Sequence, residues 1–108
     1  MNLRLVGALA VLLGSAAWGE EATCESLKGV ASPASTQKVR VVFVSRADHT
    51  RSLYWLDFEG HRKLYTHLKP GETYEVDSFV GHAWVMLDRR RHCVRGFVVS
   101  GPEQVIIE

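Results

Sequence analysis

Short runs of apolar and polar residues alternate from residue 38 onward, and no segment shows a long helical period. Runs such as KVRVVFVS and HAWVML are rich in β-branched or aromatic residues and are bounded by turn-forming residues, which is typical of strands. The pattern predicts seven strands, at 38–45, 53–58, 63–65, 73–76, 82–87, 94–99 and 105–107. Short strands at this spacing indicate an all-β domain, either an antiparallel β-sandwich or a small barrel.

Alternation within two of these strands separates a predicted core face from the opposite face. Trp55 and Trp84 fall on the opposite face, and His82 lies beside Trp84 on it. Leu53, Asp57 and Met86 share that face, and the core face is assigned to the alternate positions: Tyr54, Leu56, Phe58, Ala83, Val85 and Leu87. Two indoles on a non-core face indicate either edge packing under a loop or a surface cleft with aromatic walls.

The first residues have the pattern of an export signal. A short positive head at 1–4 precedes the apolar run LVGALAVLL at 5–13 and the small residues of GSAAWG at 14–19. Cleavage is expected after Gly19, with Ala17 as the alternative. The run is shorter than the roughly 20 residues of a membrane span, although an uncleaved anchor remains an alternative. We therefore predict a signal peptide at 1–19, an N-terminal arm at 20–37 and a β-sandwich domain at 38–108, in a secreted or periplasmic protein with no membrane attachment after cleavage.

The charge balance gives no reason to expect a nucleic-acid partner. The formal net charge is +1, and loss of Arg4 with the signal brings it to about zero. Arg89, Arg90, Arg91 and His92 form a basic run where a hairpin loop is predicted, so a solvated turn is favoured over a phosphate site.

Cys24 and Cys93 are the two cysteines of the chain. In an exported protein such a pair predicts a disulfide, which would join the N-terminal arm to a late strand. Two unpaired thiols are the alternative. Without a CxxC spacing, neither redox catalysis nor a zinc site is indicated.

Candidate catalytic chemistry is weak. Ser78 and His82 are near in sequence, but no GxSxG elbow is present. An exported hydrolase that uses Ser78 and His82 is therefore kept as an alternative, behind binding and structural functions. The histidines show neither HxH nor HxxxH spacing, so no metal and no cofactor is predicted.

Three parts of the sequence together resemble the β domain of the von Hippel–Lindau tumour suppressor family. They are Trp55 in YWLDF, Tyr65 in KLYTHLKPG, and the run DSFVGHAWVMLD, and the resemblance extends from about residue 39 to 107. It implies a seven-stranded antiparallel β-sandwich that recognises 4-hydroxyproline in an extended peptide. The family's pocket residues match, in type and order, Trp55, Tyr65, Ser78, His82 and Trp84.

The resemblance also implies a role for each of these residues. The indoles of Trp55 and Trp84 would cover the hydroxyproline ring, and His82 and Ser78 would hydrogen-bond its hydroxyl as donor and acceptor. Tyr65 would hold a flanking backbone carbonyl. The family's helical extension is not matched, so no ubiquitin-ligase scaffold is expected as a partner.

The sequence therefore favours a non-enzymatic module that binds an extended peptide or protein segment, with hydroxyproline or a similar ring as the recognised residue. The main alternative is a structural or accessory exported domain whose aromatic residues pack together without a ligand.

Overall fold

The fold is an all-β sandwich. The computed structural model describes residues 20–101 and 103–107, and the predicted signal peptide lies outside the described residues. The strands are β1 (Glu20–Ala22), β2 (Lys38–Val44), β3 (Arg51–Leu56), β4 (Arg62–Leu68), β5 (Thr73–Phe79), β6 (Ala83–Leu87), β7 (Cys93–Val98) and β8 (Glu103–Ile107). The predicted fold class is confirmed, with eight strands in the described ranges, because the N-terminal arm contributes β1.

The strands form one sheet of five, in the order β1-β7-β6-β3-β4, and one of three, in the order β5-β2-β8. All described pairs are antiparallel apart from β2 and β8, which run parallel. Strands β4 and β5 each lie at an edge of their sheet, so each pairs with a single neighbour among the described strands.

The main core lies between the two sheets, and it includes the face that the alternation pattern had assigned to the outside. Val41 and Phe43 of β2 are fully buried against Leu53 and Met86 of the larger sheet. The cluster also contains Val39, Trp55, Leu68, Trp84, Phe97 and Val99. The prediction that Trp55 and Trp84 point away from the core was therefore wrong.

A second apolar cluster covers the other face of the five-stranded sheet and explains the error. Leu56, Ala83, Val85 and Leu87 are buried there against Leu27 of the N-terminal arm. All five residues of β6 are consequently buried. Alternation identifies the side that excludes water only when one face of a sheet is solvated, and here neither face of β6 is.

The turn from β5 to β6 carries the chain from the smaller sheet to the larger. The N–H of His82 donates to the carbonyl of Phe79 across 3.0 Å, and Gly81 has a φ of +91°. A glycine at this third position accepts the positive φ that a type II turn requires. The turn also places Ser78, His82 and Trp84 on neighbouring parts of the core.

The predicted disulfide between Cys24 and Cys93 is present, with 6.0 Å between the two Cα atoms. It fastens the N-terminal arm to the start of β7. In the part of the chain that the structure describes, no helix is sufficiently long and apolar to cross a membrane.

Candidate functional site

The five residues predicted to form a pocket come together although they belong to different elements. Trp55 of β3 and Trp84 of β6 are direct cross-strand partners. The ring of Tyr65, from β4, lies 6.3 Å from that of Trp55 and 4.9 Å from that of Trp84, edge to face in both cases. The ring of His82 lies 5.5 Å from that of Trp55. The two edge-to-face pairs of Tyr65 contribute about 0.5–1.5 kcal/mol each beyond their burial, whereas the rings of His82 and Trp55 are stacked.

A β-bulge directs Tyr65 toward the two indoles. The register between β3 and β4 shifts between Leu53 and Tyr54: Leu53 pairs with Thr66, but Tyr54 pairs with Leu64. Tyr65 is therefore an extra residue on the edge strand. Bulges redirect side chains in this way, often beside functional sites, and no local pattern in the sequence indicates this one.

Ser78 reaches the cluster from the end of β5. Its hydroxyl oxygen accepts a hydrogen bond of 3.0 Å from Nε1 of Trp84. Since an indole nitrogen can only donate, the hydroxyl proton of Ser78 does not take part in this bond and can be donated elsewhere.

Both ring nitrogens of His82 have partners. Nδ1 accepts a 3.2 Å hydrogen bond from Nε1 of Trp55, and Nε2 lies 2.9 Å from the carbonyl oxygen of Pro33. An indole N–H only donates and a carbonyl only accepts, so the proton must be on Nε2. Burial lowers the pKa of His82, and the bond to Pro33 partly opposes that effect. The imidazole is therefore neutral at pH 7, with Nδ1 as an acceptor.

The cluster is covered rather than open. Trp84 is 1% exposed, Ser78 2%, His82 5% and Trp55 9%. An open cleft walled by both indoles, with His82 at its base, is not what this structure contains. Tyr65, at 38% exposure, is the single member of the predicted five with a substantial exposed surface. Truncation of Trp84 would thus remove core packing, typically about 3–5 kcal/mol, and could not isolate a binding role.

Phe58 is a sixth member that the sequence reasoning placed in the core. It follows the end of β3 and is 61% exposed, yet its ring meets Trp55 at 5.1 Å and His82 at 5.8 Å, edge to face. Phe58 and Tyr65 are therefore the outer rings over the buried ones. The aromatic cluster, as used below, comprises Trp55, Phe58, Tyr65, Ser78, His82 and Trp84.

The loop that carries Phe58 is held by Asp57. One carboxylate oxygen of Asp57 accepts from the backbone N–H of Glu59 at 2.9 Å and of His61 at 2.8 Å. These bonds, with that to His61 named first, lower the pKa of Asp57. The carboxylate is ionised at neutral pH and fixes the loop, which gives the exposed Phe58 a defined position.

The arrangement does not favour nucleophilic catalysis. Because the ring nitrogens of His82 bond to Trp55 and Pro33, neither nitrogen is available to activate Ser78.

One group with metal-binding atom types occurs among the described residues. Ligand atoms of Asp57, Glu59 and His61 lie within 4.8 Å of one another in the β3–β4 loop. The histidine spacings HxH and HxxxH do not reveal this group, because it contains one histidine and two carboxylates. The group is largely exposed, and Asp57 already serves the loop backbone.

Comparison with known families identifies most of the domain. Residues 30–103 match the family model described as VHL beta domain. The matched range contains every member of the aromatic cluster and also Pro33.

Proposed function

Because this chain belongs to the VHL beta domain family, whose members are non-catalytic protein-binding modules, we propose that it binds an extended protein segment at the aromatic cluster. The recognised residue is 4-hydroxyproline or a similar hydroxylated ring. The observation that carries the proposal is the convergence of Trp55, Tyr65, Ser78, His82 and Trp84 from separate elements.

The hydrogen-bonding capacity of the cluster supports a hydroxyl ligand. Nδ1 of His82 can only accept, and the proton of Ser78 can be donated. A hydroxyl that donates to His82 and accepts from Ser78, the reverse of the roles expected from the resemblance, uses both groups. With unmodified proline, Nδ1 of His82 keeps its bond from Trp55, but the hydroxyl proton of Ser78 gains no acceptor from the ligand. One unpaired buried donor costs about 1–3 kcal/mol, enough for roughly tenfold discrimination.

Entry of a ligand requires the outer rings to move. Phe58 and Tyr65 are the exposed members, and their ring contacts contribute about 0.5–1.5 kcal/mol each. Contacts between these rings and a bound peptide can replace the contacts that are lost. The bond from Trp55 to His82 is long at 3.2 Å, so a ligand hydroxyl can take its place as the donor to Nδ1.

The edge strand β4 supports an extended peptide as the binding partner. Its only partner among the described strands is β3, so its outer edge can hydrogen-bond an added strand. Tyr65 lies on this edge and offers its phenol hydroxyl beside the buried rings. The peptide backbone would follow β4 while one side chain enters the cluster.

A fluorescence titration tests the proposal. The chain has three tryptophans, Trp18, Trp55 and Trp84, so a protein that begins at Glu20 has indoles in the aromatic cluster alone. We expect acetyl-Ala-Ala-Hyp-Ala-Ala-amide to change the emission at about tenfold lower concentration than its proline twin. A twin with 4-fluoroproline, which cannot donate, is expected to resemble proline. Equal binding of all three, or binding of none, would reject the proposed specificity.

A matched pair of serine variants locates the effect. Ser78→Ala removes the proposed donor to the ligand and is expected to reduce the preference for hydroxyproline about three- to tenfold. Ser52→Ala is the control, because Ser52 also contacts a histidine nitrogen, Nδ1 of His67 at 2.9 Å, outside the cluster. Tyr65→Phe, which keeps the ring, is expected to weaken both peptides equally.

A cluster that only packs is the second candidate, and the 1% exposure of Trp84 favours it. In that case no peptide changes the fluorescence, and Ser78→Ala lowers only the free energy of unfolding.

Export is part of the proposal. The disulfide supports it, since such bonds persist in oxidising compartments. The mass of the protein recovered outside the cytoplasm should correspond to a chain that starts at Glu20; a full-length cytoplasmic product would contradict export.

A further inference from the structure

Residues 23–33 form a continuous strap across the second face of the five-stranded sheet. The disulfide of Cys24 fixes one end. Leu27 is 5% exposed and lies so close to Gly96 that a Cβ there would be 2.7 Å from its Cδ1. Any larger residue at Gly96 would displace Leu27. This N-terminal strap is therefore packed against the sheet at Leu27, although most of its other residues are exposed.

Ser32 anchors the other end of the strap between two central strands. Its hydroxyl donates to the carbonyl of Leu56 in β3 and accepts from the N–H of Ala83 in β6 at 3.0 Å. Its own N–H donates to the carbonyl of Asp57 at 3.1 Å. Ser32 is 3% exposed, so these bonds are protected from water and define the backbone position at this point.

Pro33 follows immediately and meets the turn that carries the histidine. Its carbonyl oxygen is 2.9 Å from Nε2 of His82. Its Cγ would be 3.1 Å from a Cβ at Gly81, so the absence of a side chain at Gly81 allows this approach. The N-terminal strap thus reaches from the disulfide to one nitrogen of His82.

We infer that the N-terminal strap is the positioning element of His82: the Pro33 carbonyl holds the imidazole with its proton on Nε2, and Ser32 holds that carbonyl in place. The other nitrogen then faces the aromatic cluster as an obligatory acceptor. The consequence for ligand choice rests on the proposed function. The tautomer and the ring orientation of His82 in the free protein do not depend on the proposed function.

The physical reason is that a neutral imidazole can carry its proton on either nitrogen. A fixed acceptor at Nε2 selects one form, just as the second hydrogen bond of a histidine sets which of its nitrogens is protonated in metal and catalytic sites. With the other form, Nδ1–H would face the N–H of Trp55, and two donors would oppose each other. The strap prevents that arrangement.

Nitrogen NMR on the ligand-free protein that begins at Glu20 tests the inference directly. We expect His82 to be in the Nε2–H form at pH 7, with a ring N–H protected from exchange and a scalar coupling between Nε2 of His82 and the carbonyl carbon of Pro33. A proton on Nδ1, or a coupling that is absent while the ring N–H is protected, would overturn the inference.

Variants of the strap test its effect on selectivity. Ser32→Ala is expected to accelerate exchange of the His82 ring N–H and to reduce the preference for the hydroxyproline peptide over its proline twin by about tenfold. Ser35→Ala makes the same change two residues after the strap, where the hydroxyl accepts a 3.4 Å hydrogen bond from the N–H of Gln37, and is expected to leave both unchanged. A general loss of structure would weaken both peptides together and leave their ratio intact, which would refute a positioning role.

A second variant is available at the exposed end of the strap. Pro33→Gly keeps the carbonyl but removes the ring that packs on Gly81, and should produce a smaller change in the same direction even if Ser32→Ala does not fold. If wild-type protein shows the expected tautomer and coupling but binds neither peptide, the proposed function fails and the positioning role stands. If wild-type protein binds hydroxyproline selectively while Nδ1 of His82 is protonated, the positioning role fails and the proposed function stands.

Discussion

Removal of the disulfide is expected to destabilise the domain by about 4 kcal/mol. The two cysteines are 69 residues apart, and the chain-entropy relation for a loop of that length gives about 4.4 kcal/mol at 25 °C. Domains of this size have total stabilities of about 5–15 kcal/mol. The protein with Cys24→Ala and Cys93→Ala is therefore expected to be folded but marginal.

The same reasoning predicts a change in the unfolded state. A crosslink of this span keeps the unfolded chain compact, so its loss exposes more surface on unfolding and raises the denaturant m-value. Urea titrations of the oxidised protein and of the double variant, followed by the emission of Trp55 and Trp84, measure both quantities. Reduced wild-type protein serves as the control for the substitutions themselves.

One pattern of results would refute the reasoning. If the double variant loses less than about 1 kcal/mol and keeps the same m-value, the bond does not act through the entropy of the unfolded chain. A large loss with an unchanged m-value would instead indicate that the bond mainly supports native contacts of the N-terminal strap.

Two further predictions concern buried polar groups. Burial lowers the pKa of His82, so the folded state binds its proton less readily than the unfolded chain, whose histidines titrate near 6.5. The contribution of His82 to the free energy of unfolding is therefore fully present above about pH 6.5 and declines as the pH falls toward its folded pKa, by at most about 1.4 kcal/mol per pH unit. In urea titrations at several pH values, His82→Gln should abolish this dependence of stability on pH. A dependence that persists in the variant would assign it to other groups. Ser45 is 1% exposed, and its hydroxyl has no hydrogen-bond partner in the described structure. Ser45→Ala is therefore expected to leave the free energy of unfolding unchanged or to raise it by up to about 1 kcal/mol. A loss above about 1 kcal/mol would show that the hydroxyl has a hydrogen-bond partner in solution.

Much of this architecture could be predicted from local sequence. β-branched and aromatic runs between turn residues indicated the strands, because a strand needs only a few neighbouring residues of suitable type. Cys24 and Cys93 could be paired because there are only two cysteines. The motif residues from Trp55 to Trp84 could be assigned to one pocket through their resemblance to a family.

The burial of that pocket depends on tertiary structure. Alternation separates the two faces of β6 but does not show what covers each. Leu27 of the arm covers the face of Ala83 and Val85, and the smaller sheet covers the face of Trp84, which had been expected outside the core. The partner that fixes His82 is Pro33, 49 residues away, and no pattern of neighbouring residues encodes a contact over that distance. The sequence, through its resemblance to a family, thus indicated five residues that meet, whereas the packing of two sheets and a strap decided which of them water can reach and which nitrogen of His82 faces the site.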